Sequence, residues 1–156
     1  MFRLFIFFPI ILLSQDIYLL PDDADTLMHA YNTDIKNAKK EVFIFTAYLD
    51  DYSLISTLKS VSKKNIPVTL ISRSPLEDEN KISHLSLFKN ISVFTLKSID
   101  HEAIGGSFIC IDDEKYYLIN SKMDHHQLKV SHSFATVKEG KCSHLFTLLL
   151  QRSQAY

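Results

Sequence analysis

Glycine occurs three times in 156 residues, proline four times and cysteine twice. So little glycine and proline excludes a collagen-like or low-complexity chain. With 46% hydrophobic and 22% charged residues, a wholly disordered chain is excluded too. Two cysteines cannot build a disulfide scaffold, and their spacing is wrong for a zinc knuckle. No charge of one sign is in excess: 17 Lys and Arg face 18 Asp and Glu, a formal net charge of −1. No global basic surface therefore advertises nucleic acid or an anionic membrane. A local patch stays open, since the 7 histidines add charge below neutral pH.

One long apolar run is present, from Leu4 to Leu13, preceded by Arg3. Ten residues span roughly 15 Å as a helix, about half of a bilayer core. The run suits a signal-peptide core better than a full span. Its cleavage site, Leu12-Leu13-Ser14, lacks the usual small residue at the first of the three positions. Residues 1–15 are therefore expected to be a signal peptide or a short membrane anchor, with 16–156 as one domain. The localisation implied is exported, periplasmic or inner-membrane-tethered in a bacterium. The competing reading is a buried first strand, because Phe and Ile also favour strands.

Strands and helices alternate after that. Ile17 to Leu20 is a short apolar strand. Asp22, Asp23 and Asp25 offer capping chemistry for a helix. Ala24, Leu27, Met28, Tyr31, Ile35 and Ala38 recur at spacings of three and four, one apolar stripe. Val42 to Tyr48 is a continuous run suited to a strand buried on both faces. Asp50, Asp51 and Ser53 start a helix with Leu54, Ile55, Leu58 and Val61 inward. Ile66 to Ile71 is a third strand, a weaker helix covers about 78–88, and Ile91 to Leu96 is a fourth strand. This order predicts an α/β fold with a mixed, mostly parallel sheet flanked by helices. Ser107 to Ile111 and Tyr116 to Asn120 form a hairpin about Asp112-Asp113-Glu114-Lys115. Phe134 to Val137 is a further strand. Cys142, Leu145, Phe146 and Leu149 face inward on a last helix. Cys110 and Cys142 are expected as buried free thiols, with a disulfide between them as the alternative.

The front half, "DADTLMHAYNTDIKNAKKEVFIFTAYLDDYSLISTLKSVSKKNIPVTLISR", and the back half, "GGSFICIDDEKYYLINSKM", resemble the single-domain nuclease branch of the phospholipase D superfamily. The resemblance implies an α-β-α layered fold ending in a hairpin. It also implies a metal-free phosphodiesterase or endonuclease site built on H-x-K-x4-D with a following Gly-Ser and Asn, and no cofactor. In such a site one His attacks phosphorus, a second protonates the leaving oxygen, and the Lys holds phosphate charge. One motif copy per chain implies a two-fold homodimer sharing the site.

Here the motif is degenerate. Counting seven back from Asp112 lands on Gly105 for the nucleophile and Ser107 for the Lys. A register ending at Asp113 gives Gly106 and Phe108 instead. No His in the chain has a Lys two residues later. Asn120-Ser121 stands where Gly-Ser is expected. Asp112 is retained, although an Asp before a turn is also ordinary turn chemistry.

Three function classes follow. The first is an exported, non-catalytic domain binding phosphate, nucleic acid or a partner through Gly105, Ser107, Asn120 and Ser121. The second is an active phosphodiesterase with a displaced nucleophile, His101, and Asp112 in support. The third is a purely structural partner-binding domain. Asp124-His125-His126 with His132 has no defined metal-ligand spacing and reads as an exposed polar loop. Tyr48, at the end of a buried strand, reads as packing.

Overall fold

The computed structural model describes residues 16–72, 82–96 and 106–155. Within them, β1 (Ile17–Leu20), α1 (Ala24–Lys36), β2 (Val42–Thr46), β3 (Leu49–Asp50), α2 (Tyr52–Lys63), β4 (Val68–Ser72), α3 (Ile82–Leu85) and β5 (Ile91–Leu96) form the front half. The back half is β6 (Ser107–Ile111), β7 (Lys115–Ile119), β8 (Met123–Asp124), α4 (His125–Val130), β9 (Ser133–Glu139), α5 (Ser143–Gln151) and β10 (Ser153–Ala155).

Eight strands form one mixed sheet in the order β1-β9-β7-β6-β2-β4-β5-β10. The expected parallel core is confined to β2, β4 and β5. The other pairings are antiparallel, so the sheet is mixed without being mostly parallel. The sequence pattern misses why: the hairpin does not sit at an edge. It inserts beside β2 and extends the sheet through β9 to β1.

Strand alternation sends successive residues to opposite faces. Val42 and Ile44 of β2, Val68 and Leu70 of β4, and Ile109 and Ile111 of β6 point one way, into a core shared with Leu27, Tyr31 and Ile35 of α1 and Leu54, Leu58 and Val61 of α2. Phe45, Ile71, Phe108 and Cys110 point the other way, under Phe146 of α5. The stripe expected for α1 is buried as anticipated. Its cap differs: Asp23 makes no side-chain cap bond and instead accepts the Leu19 N–H at 2.8 Å. Asp51 does cap α2, accepting from Ser53 and Leu54.

Several boundaries move. The run to Tyr48 ends as a strand at Thr46. Helix is described only over Ile82–Leu85 of the expected 78–88, and residues 73–81 lie outside the described set. Leu145, expected inward on the last helix, is 48% exposed, because α5 covers the sheet with Cys142 and Phe146. Residues 125–130, expected as loop, form α4, capped by Asp124.

The thiols are also corrected. Cys110 and Cys142 are joined in a disulfide across 32 residues of sequence. The turn brings them together: Asp113 accepts the backbone N–H of Cys142 and Ser143, at 2.8 and 2.7 Å, and docks the start of α5 on the hairpin.

Candidate phosphate-binding site

Parallel strands bring their carboxyl ends to one side of a sheet, where ligands of open α/β folds bind. Thr46, Ser72 and Thr95 lie at the carboxyl ends of β2, β4 and β5 in mutual register. Ser107 opens β6 beside Thr46. The result is a row of four buried hydroxyl side chains on the α1 and α2 face of the sheet.

Ser107 is the centre of a closed polar cluster. Its Oγ lies 2.9 Å from Thr46 Oγ1 and donates to the Ser121 carbonyl at 2.7 Å. Thr46 Oγ1 donates to the Tyr48 carbonyl at 2.8 Å and accepts from the Met123 N–H at 3.3 Å. Two hydroxyls have one proton each for these three oxygen contacts. None is left for a molecule outside, and Ser107 is only 4% exposed. In this arrangement Ser107 latches β2, β6 and the segment after β7. Ser107 and Ser121 are thus brought together as the sequence implies, but for structure. Asn120 lies next to them, exposed, with its backbone N–H on the Phe134 carbonyl.

Gly106 precedes Ser107 at a close approach of two strands. Its φ is +73°, and a Cβ there would stand 2.4 Å from the Ile119 carbonyl oxygen. Only glycine fits this approach of two backbones. Gly105 and His101 lie outside the described residues.

Asp112 sits at the opposite end of β6, in the hairpin turn, with φ +57°. Its carboxylate accepts the backbone N–H of Lys39, Lys40 and Glu41, at 2.7–3.1 Å. Partial burial pushes the carboxyl up, but the N–H donors of Lys40, Lys39 and Glu41 overcome this and hold it below the usual range. Asp113 is held lower still by the Ser143 and Cys142 N–H groups. Both fasten the turn, and neither faces Ser107.

Sequence reasoning missed Arg152. It lines a groove of about 380 Å³ on the α5 face of the sheet, walled by Phe45, Phe108, Leu118, Leu145, Leu148 and Leu149; Ser107 borders this groove, but its hydroxyl is engaged with Thr46 on the α1 and α2 face. Only the fold shows this proximity, since α5 returns over β6. Asp124 caps α4 through the His126 and Gln127 N–H groups, so its carboxylate is engaged locally. Cys110, Asp113 and Cys142 also converge, but the two sulfurs are bonded to each other.

No family model and no curated protein matches the sequence. Solved structures match the fold. NucT from Helicobacter pylori superposes with a TM-score of 0.74 at 15% identity, over 90% of this chain and 97% of that one. Nuc from Salmonella typhimurium, a phospholipase D family member, gives 0.68 at 12% identity, over 90% and 95%. TrmBL2, an archaeal chromatin protein whose structure shows a novel mode of DNA binding, gives 0.57 at 7%, over 88% and 48%. The chain shares the fold of NucT and of Nuc, a phospholipase D family member.

Proposed function

We propose that the chain is an exported, non-catalytic domain of phospholipase D-like fold that binds nucleic acid through phosphate. The observation that carries this reading is the Ser107 latch. The position that resembles the family's phosphate-holding Lys carries no cation, and its hydroxyl is buried and engaged. Electrostatic stabilisation of a phosphoryl transition state loses its main donor there. Arg152, in the groove that Ser107 borders on the α5 face, and the exposed amide of Asn120 supply binding without supplying a nucleophile.

Export is supported by the apolar run in residues 4–13 and by the Cys110–Cys142 bond, which persists in an oxidising compartment. Among the described residues no helix is long and apolar enough to cross a membrane. A homodimer is part of the proposal. The exposed Leu145 and Leu148, walls of the Arg152 groove, suit contact with a second copy, which would make the nucleic-acid site a cleft shared between two chains.

The test is fluorescence anisotropy of a labelled single-stranded oligonucleotide with the full chain at several salt concentrations. Binding that weakens with salt, and weakens at every salt concentration in Arg152→Ala, is the expected result. No binding at low salt overturns the nucleic-acid reading.

A further inference from the structure

Beyond the groove, the same face of the sheet continues over β7, β9 and β1. Facing away from α1 there are Ile17 and Leu19, Phe134, Thr136 and Lys138, with Leu118 at the groove's margin and Tyr116 packed on Phe108 under α5. Register makes them one surface. Ile17 pairs with Thr136, which pairs with Leu118, while Leu19 pairs with Phe134. α5 covers the neighbouring strands of this face but stops short of these. Ile17 is 58% exposed, Leu19 61%, Phe134 52% and Leu118 41%.

Two features select an occupant. The first is charge: these positions contain no carboxylate and one exposed cation, Lys138, and α5 beside them contains no Asp or Glu. An apolar surface with a basic margin matches acyl chains under anionic headgroups. The second is position in the chain. Ser14, Gln15 and Asp16 alone separate the apolar run ending at Leu13 from Ile17. Even fully extended, that link reaches only about 14 Å. If the run is held in a bilayer, β1 cannot leave the membrane surface.

We propose that the β1-β9 face of the sheet is a lipid-docking surface, seating Ile17, Leu19 and Phe134 in the interface of an anionic membrane with Lys138 at headgroup level. The proposal rests on the tethering reading of residues 4–13, and it differs from that reading in predicting contact by the folded domain itself. Such docking would turn the Ser107 groove to a fixed orientation above the membrane, beside a nucleic acid held near the surface.

The chain has no tryptophan, so one introduced indole reports on one place. The full chain carrying Phe134→Trp is mixed with vesicles of phosphatidylglycerol and phosphatidylcholine containing bromine-labelled acyl chains. Tyr52→Trp, at the start of α2 and 73% exposed, is the control on the other side of the molecule. Quenching and a blue shift of the indole at position 134, without quenching of the indole at position 52, is the expected result. Leu19→Glu in the Phe134→Trp background should lower the bound fraction about tenfold, the effect of removing one buried apolar side chain.

Vesicle-bound protein whose indole at position 134 stays unquenched overturns the docking face while leaving the tether standing. Quenching that persists after Phe8→Asp, which puts a charge into the apolar run, rejects the tether and keeps the face. Absence of vesicle binding rejects both. A blue-shifted, unquenched indole at position 134 in a species of dimer mass assigns the face to a second copy instead.

Discussion

Ser107 and Asp112 stand at opposite ends of β6, five residues apart, which at 3.3 Å per residue is about 16 Å. One phosphate cannot touch both. The two side chains therefore serve different tasks: Ser107 closes the carboxyl end of the sheet, and Asp112 ties the hairpin turn to the segment between α1 and β2.

Asp112→Asn keeps a residue tolerant of positive φ and removes the charge. The folded carboxyl lies below its unfolded value, so its stabilisation is full above the unfolded range near pH 4 and disappears as pH falls through the folded value. The variant should lose about 1–2 kcal/mol at pH 7 and show a flatter acid limb. Thermal melts from pH 7 to pH 2 check this. An unchanged melting temperature at pH 7 contradicts the clamp.

The Cys110–Cys142 bond closes 32 residues. Loop-closure entropy puts its contribution at about 3–4 kcal/mol. Adding reductant should lower the melting temperature clearly. Cys110→Ala with Cys142→Ala should match the reduced protein and become insensitive to reductant. Equal melting curves with and without reductant, with thiol titration showing both cysteines reactive from the start, would reject the bridge.

Gly106→Ala meets two obstacles, the φ of +73° and the Ile119 carbonyl 2.4 Å from the new Cβ. It should cost at least about 2 kcal/mol by urea denaturation. A neutral effect would mean that β6 does not enter the sheet beside β7 as described.

Much of the fold was legible because periodicity is local. The α1 stripe, the β2 and β4 runs and the hairpin all carry their pattern in neighbouring residues. Sheet order was not legible, since nothing within 107–119 says that β6 pairs with β2 rather than with an edge. The disulfide ranked behind free thiols for the same reason: Asp113 holds Cys142 against β6 through contacts 29 and 30 residues apart in sequence. At the candidate site, sequence singled out Ser107 and Ser121 but not their mutual engagement. A hydroxyl reads the same whether it faces a ligand or a buried Thr46. Arg152 gave no local signal at all, being placed only by the return of α5 over the sheet.

The central claim is binding without turnover, and hydrolysis measures it most directly. The purified full chain is incubated with single- and double-stranded DNA, and with bis-p-nitrophenyl phosphate, with and without a chelator. A domain lacking the motif's nucleophile and phosphate cation should give no product above the buffer blank on any substrate. Metal-independent cleavage that disappears in His101→Ala would contradict the account and make His101 the nucleophile of a working phosphodiesterase.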